Sequence, residues 1–394
     1  MQSPAQSSNL ARGRESGRFG AAYRVLEEAI VNRAFPGCAF GVLARGDAGG
    51  EVVVKDVLGR FTYDPESPLV TAETVYDLAS ITKVVATTAA AMLLVQRGEI
   101  ALETPLGELL PGFLAGRISG DPARRVTLRH LLAHNSGLPG YVELFCEAKT
   151  PAALFQACLE LPLEAEPGAR AEYSDPGFIL LGKALEVRMR EPLDSWVGRE
   201  VFGPLGMDAT GFCPAPALRR SIPPTEEDTW FRHRLIQGEV QDENAWLMGG
   251  VAGHAGLFSN IADLLRFAYA VINTSTGTST GAKNPGTNAG NVPCGGRYLS
   301  DPDVLKQFAQ RQPPEGSSRA LGWDTPSANS SAGKLFSAHS VGHLGFSGCS
   351  LWIDLEAGVA IVLLTNRTWP NRKNQMIREV RPAFHDAVRE ALQK

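Results

Sequence analysis

No dense covalent framework holds this 394-residue chain, because its six cysteines (Cys38, Cys146, Cys158, Cys213, Cys294 and Cys349) lie far apart and form no C-x-x-C pair. Such spacing fixes neither a metal site nor a redox compartment. A dominant charge is also lacking: 38 Lys and Arg stand against 42 Asp and Glu, for a formal net charge of -4. With the basic residues dispersed, no stripe is available to follow a phosphate backbone, and nucleic acid is not an expected partner. No apolar run approaches the roughly 20 residues that cross a bilayer, so no membrane span is expected. The first eight residues show neither the basic nor the apolar region of a signal peptide. The compartment stays open: periplasmic or extracellular if a signal peptide was trimmed, cytoplasmic if the chain is complete.

The chain has ample core-forming material, with 44% hydrophobic and 20% charged residues, enough for one large domain over 1–394. After a helix near Tyr23 to Asn32, Cys38 to Ala44 and Glu51 to Leu58 are β-rich and separated by a Gly-rich turn, which predicts a hairpin. Ser350 to Asp354 and Val359 to Thr365 predict another near the end, followed by a helix over Gln375 to Leu392. The expected class is α/β (α+β), with an antiparallel sheet built from both chain ends, in about 20–100 and 253–394, and flanked by helices. Residues 101–252, with helix signals at Thr127 to Ala133, Ala152 to Leu159 and Pro176 to Arg188, read as a mostly helical insertion. Residues 273–296 are almost wholly small and polar and read as a flexible loop. No repeat at a fixed period is evident.

The first chemical motif is Tyr76-Asp-Leu-Ala-Ser-Ile-Thr-Lys83, leading into a run that is apolar on nearly all sides and closed by Gly98. Ser80 sits at the first turn and Lys83 projects from the same face, so hydroxyl and amine can meet. Ser80 could simply cap the helix. Lys83 argues against this, because a capping box wants Glu or Gln at that offset and a cation in the first turn opposes the helix dipole. Dipole and burial would together lower the lysine pKa, letting neutral amine take the serine proton.

Further on, Pro167-Gly-Ala-Arg-Ala-Glu-Tyr-Ser-Asp-Pro-Gly-Phe places Tyr173 just before a helix beginning at Pro176, with Asp175 positioned to cap it. Tyr173 can aim its hydroxyl at Ser80 and Lys83 as a proton relay, or as general base if Lys83 lowers its pKa. Near the end, Val341-Gly-His-Leu-Gly-Phe-Ser-Gly-Cys-Ser puts His343 and Gly345 on a strand edge. Glycine there admits a substrate backbone, and the amides of Ser80 and Phe346 could form an oxyanion hole. Ser347 does not complete G-x-S-x-G, so an α/β-hydrolase elbow is not indicated.

These motifs, in this order, resemble the serine hydrolases grouped with class C β-lactamases, low-molecular-weight penicillin-binding proteins (DD-peptidases) and related esterases. Val126-Thr-Leu-Arg-His-Leu-Leu-Ala-His-Asn-Ser-Gly-Leu-Pro139, Pro204-Leu-Gly-Met-Asp-Ala-Thr-Gly-Phe212 and Gly249-Gly-Val-Ala-Gly-His-Ala-Gly-Leu-Phe258 extend the resemblance over most of the chain. The β-lactamase/DD-peptidase-like fold follows from it. The class C pattern has Tyr-x-Asn and Lys-Thr-Gly or Lys-Ser-Gly where this chain has Tyr173-Ser-Asp175 and His343-Leu-Gly345. A lysine is thereby replaced by a group of ordinary pKa about 6.5, and a hydroxyl donor is lost. The variant is most similar to the esterase and D-aminopeptidase or carboxypeptidase branches, penicillin-binding protein 4B-like. Gln241 stands where similar proteins tend to carry His.

The resemblance implies an acyl-enzyme on Ser80, with Lys83 and Tyr173 catalytic and with Asp175, His343, Gly345 and Phe346 at the substrate. No metal or organic cofactor is implied. The expected partners are a small-molecule or short-peptide substrate, ester or D-alanyl amide, with β-lactams as acylating ligands. Alternatives are a catalytically weak penicillin-binding or sensor protein, or a class C-like β-lactamase. In this reading His343, when charged, holds a substrate carboxylate. His130 and His134, spaced i and i+4, lack the intervening Glu of a zinc motif and are expected in core or surface positions. His254 is read as backbone packing.

Overall fold

The computed structural model describes residues 17–46, 49–277 and 299–393. At its centre is a five-stranded sheet of β1 (Gly37–Gly46), β2 (Gly49–Gly59), β3 (Ser340–Leu344), β4 (Ser350–Asp354) and β5 (Val359–Thr365), in the order β2-β1-β5-β4-β3. Every neighbouring pair is antiparallel. The two ends of the chain meet at the β1–β5 seam, in register from Cys38 opposite Thr365 to Ala44 opposite Val359. β5, Val-Ala-Ile-Val-Leu-Leu-Thr, is buried at all seven positions. Its continuous apolar run, rather than an alternating one, follows from cover on both faces.

One face is covered by α1 (Gly20–Val31) and, from the far end of the chain, α5 (Ile377–Gln393). Phe40 on β1 lies edge-on to Tyr23 of α1 at 5.3 Å and to Phe384 of α5 at 5.5 Å. The opposite face carries the larger core, shared by α2 (Ala89–Gln96), α3 (Asp175–Met189) and α4 (Ile261–Thr276). α4 approaches so closely that a Cβ at Gly41 would stand 2.7 Å from a Leu265 methyl carbon. The stretch 273–276, part of the expected flexible loop, is the last turn of α4; residues 278–296 lie outside the described residues.

A second, small sheet delivers the chain to Ser80: Tyr76–Asp77 pairs with Leu257–Ser259, which also pairs with Gly211–Phe212. Beyond it the backbone runs as a 3₁₀ turn over Ala79–Ile81, a π-helix over Lys83–Thr88 and then α2. Against expectation, Ala79–Gln96 is long and apolar enough to match a membrane-spanning segment, with a mean hydropathy of 1.4 over 18 residues. Its surroundings decide otherwise, since 78% of that window is buried within the fold. This is the central core helix, and π-helical turns of this sort concentrate at functional sites.

Phe40 touches both terminal helices, so Phe40→Ala should cost about 3–5 kcal/mol, read as a lowered urea midpoint. A loss below about 1 kcal/mol would mean that α1 and α5 do not dock on the sheet together.

Candidate active site

The turn before Ser80 is held by hydrogen bonds to the small sheet. The Leu78 amide donates to Leu257 O at 2.9 Å. Thr82 Oγ1 donates to Ala79 O at 2.6 Å and accepts from the Leu257 amide at 3.1 Å. Ala79 is thereby kept at φ 45, a left-handed conformation that costs a residue with a Cβ roughly 1–2 kcal/mol. Ala79, Ile81, Thr82 and Lys83 are all buried, while Ser80 alone of this turn is partly exposed, at the floor of a cleft.

Lys83 has no solvent exposure. Its ammonium donates to Ser80 Oγ at 3.1 Å, Asp175 Oδ1 at 2.6 Å and His254 O at 3.2 Å, and lies 4.8 Å from the centre of the Tyr173 ring. Burial alone would lower the lysine pKa, but the Asp175 carboxylate and Tyr173 outweigh it, and the net shift is upward from the ordinary 10.5. The resting lysine is a cation, and the neutral amine expected from dipole and burial is not the ground state. Of the two roles open to Tyr173, the general base lacks its condition: burial raises the phenol pKa despite Lys83, so it keeps its proton beside Lys83 and Ser80.

Asp175 does not cap its helix. That position belongs to Ser174, whose Oγ accepts from the Gly177 amide at 3.0 Å and donates to Pro139 O at 2.7 Å. Asp175 is the first residue of α3, and its carboxylate is left to the lysine. His134, expected in a core or surface position, stacks on Phe178 at 4.9 Å and lies tilted against Tyr173 at 4.7 Å. The Ser174 amide donates to its Nδ1 at 3.0 Å, which fixes the segment carrying the tyrosine. His130 closes a capping box with Thr127.

The third motif comes from the edge strand of the sheet, which is buried at four of its five positions. β3 ends at Leu344, and a Cβ on Gly345 would fall 2.4 Å from Leu78 O, so only glycine lets this turn lie against the entry to Ser80. Both Ser80 and Phe346 line the cleft. The turn is closed by Gly345 N to Cys349 O at 2.8 Å and Gly348 N to Gly345 O at 3.1 Å. Arg381 of α5 donates to Gly345 O at 2.6 Å and Cys349 O at 2.8 Å. The Phe346 ring is 43% exposed, with the Arg367 guanidinium 4.3 Å from its centre.

His343 does not form the charged clamp expected of it. It is 3% exposed, and Nδ1 donates to Leu344 O at 2.8 Å. Burial, then Lys83 and Arg319, drives its pKa well below the ordinary 6.5, so it stays neutral. The cation beside it is Arg319, 5.1 Å from the centre of the Tyr173 ring and 3.8 Å from Asp324. A lone arginine in a polar loop carries no periodicity or motif that could have singled it out.

The cleft measures about 710 Å³. Glu143, Glu172, Asp242 and Glu243 lie on its lining together with Arg319, Arg367, Arg372 and Arg378, so it offers ligands both signs of charge. The His254 loop reaches the site as well: its carbonyl accepts from Lys83, and its Nε2 is 2.9 Å from Asp242 Oδ1.

The sequence profile described as Beta-lactamase matches residues 24–383, and the chain belongs to that family of serine hydrolases. More particularly, it is 32% identical over 327 residues to a Salmonella typhimurium protein named "Putative D-alanyl-D-alanine carboxypeptidase", covering 75% of this chain and 70% of that one. Among solved structures the fold is similar to a penicillin-binding protein homologue from Caulobacter crescentus (TM-score 0.70, 19% identity, 95% of this chain and 97% of that one). It is similar also to EstCE1, a hydrolase with promiscuous acyltransferase activity (TM-score 0.69, 20% identity, 93% and 97%).

Because burial holds His343 neutral, its imidazole resonances should not titrate between about pH 5 and pH 8 in an NMR series. A midpoint near the ordinary histidine value would restore the charged clamp.

Proposed function

We propose that the protein cleaves small acyl substrates through an acyl-enzyme on Ser80, with Lys83 and Asp175 as its proton relay and Tyr173 as proton donor to the leaving group. One observation carries the reading: a fully buried lysine stands 3.1 Å from Ser80 Oγ and 2.6 Å from Asp175. Because Lys83 rests as a cation, the relay passes one proton for another. As Ser80 Oγ bonds to the carbonyl carbon, Lys83 gives a proton to Asp175 and takes the one leaving Ser80. The amides of Ser80 and Phe346 receive the negative oxygen. When the carbon–leaving-group bond breaks, Tyr173 protonates the departing atom and is reprotonated from Lys83. Water then repeats the sequence in reverse to free the acid.

On the substrate side, Arg319 supports recognition of a carboxylate and neutral His343 does not. D-alanyl peptides fit such a cleft, small esters can acylate without that contact, and β-lactams would react as slow acylating ligands. The narrower likeness to the penicillin-binding protein 4B type belongs to this proposal and rests on His343-Leu-Gly345. A second reading, a penicillin-binding sensor that acylates without turnover, is favoured by the clamped charge on Lys83, which slows any step needing free amine.

Ser80→Ala should abolish the mass increase given by a fluorescent penicillin, and a persisting label refutes the nucleophile. Asp175→Asn removes the anion that raises the Lys83 pKa. The relay then lacks its proton acceptor, so kcat/KM should fall about 10²-fold across the pH range, and an unchanged rate breaks the pairing. Arg319→Ala should raise KM about 10- to 100-fold for a D-Ala-D-Ala peptide and leave p-nitrophenyl acetate unaffected. Equal effects on both substrates would remove Arg319 as the carboxylate contact.

A further inference from the structure

Three segments that build the site converge on one residue outside the motifs. Asp77 is 2% exposed and lies at the end of the short strand leading to Ser80. Its Oδ1 accepts from the Ala79 amide at 2.8 Å, and its Oδ2 accepts from the Gln241 amide at 2.8 Å. Its carbonyl accepts from Ser347 Oγ at 2.7 Å, in the turn that carries Phe346. The first bond restrains the left-handed residue just before the nucleophile. The second leads, through the adjacent Asp242 and its 2.9 Å contact with His254, to the carbonyl that holds Lys83. The third ties the strand-edge turn to the nucleophile turn.

We infer that Asp77 is a positioning residue whose ionised carboxylate locks the Ser80 turn to the Gln241–His254 segment while its backbone carbonyl holds the Phe346 turn, so that protonation of the carboxylate loosens the first of these ties. The inference rests on the acyl-enzyme reading and adds a residue to it. The carboxylate accepts both amides as charge-assisted bonds, whereas the acid form loses that charge and accepts weakly at the oxygen that carries the proton. Burial raises the Asp77 pKa to about 6, assisted by Asp242 and opposed by the Gln241 and Ala79 amides and by Arg232. The Cys349 thiol faces its carbonyl at 3.7 Å. Because the folded pKa lies above the ordinary 3.8, the folded state holds more protons than the unfolded one between those values. Stability from this group therefore falls as pH rises through that window. The form that locks the site is the form the fold tolerates less well, as expected of a group kept for geometry rather than for stability.

The test compares wild type with Asp77→Asn, which keeps the shape but points an amide N–H at one of the two donors. Labelling by fluorescent penicillin, followed by mass, should still go to completion at Ser80, about 10- to 100-fold more slowly per site. With p-nitrophenyl acetate, kcat should fall at constant KM, and the wild-type acid limb near pH 6 should be absent from the variant. Asp77→Glu should restore part of the rate together with the limb. Equal rate constants and an unchanged limb overturn the proposal, since a merely structural aspartate would lower the folded fraction but not the rate per labelled site. If Asp77→Asn fails to fold by circular dichroism, the wild-type profile decides. Acylation that declines through about pH 6 with the fold intact supports the lock, and acylation constant from about pH 5 to about pH 8 overturns it. Absence of any adduct on wild-type Ser80 overturns the acyl-enzyme reading and this one with it, a result distinct from adducts forming at equal rates.

Discussion

The structure is organised around one buried charge. A lysine with no solvent exposure must find acceptors for its ammonium, and Lys83 takes them from three separate places: the Ser80 turn, the start of α3 at Asp175, and the His254 carbonyl. The mostly helical stretch and the sheet-bearing parts are thus tied together at the point where the chemistry takes place. Removing one partner from such a pair typically costs about 3–5 kcal/mol, because the other charge is left buried and alone. The ion pair therefore fixes the relative placement of α3 and the nucleophile turn as well as the protonation of the site.

That pairing also explains which parts of the site were legible in the sequence. Ser80 and Lys83 are three residues apart on one turn, so local geometry alone brings them together. The hairpin at Ser350–Asp354 and Val359–Thr365 was equally plain, since apolar runs of strand length flank a Gly-containing turn. The protonation states were not legible. The Lys83 pKa depends on a carboxylate 92 positions away, which together with Tyr173 outweighs burial. Ser174 takes the cap expected of Asp175 for a similar reason: either can cap a helix before Pro176, and only the position of Lys83 determines that Asp175 is drawn off.

The substrate end was harder still. His343 stands where the class C pattern has a lysine and is for that reason expected to carry charge, but a packed environment and the nearby Lys83 and Arg319 keep it neutral. Arg319 and Asp77 give no signal of their own, because an arginine in a polar loop and an aspartate near a strand end are ordinary there. Their significance comes from contacts across long separations, such as the 164 positions between Asp77 and Gln241.

Gly345 shows how tightly these long contacts constrain one another. With no Cβ it lets the last motif lie against Leu78 O, and Arg381 from α5 holds the carbonyls of the same turn. Arg381 is a buried cation whose hydrogen bonds among the described residues go to the carbonyls of Gly345, Gly348 and Cys349, and burial lowers its pKa to about 9. A neutral side chain could fill that space at lower electrostatic cost. A cation there instead adds positive potential behind the turn that carries Phe346 to the cleft, and in a low-dielectric site such potential acts on whatever negative charge develops near Ser80. The turn that brings the third motif to the nucleophile is therefore fixed in position and polarised by the same residue.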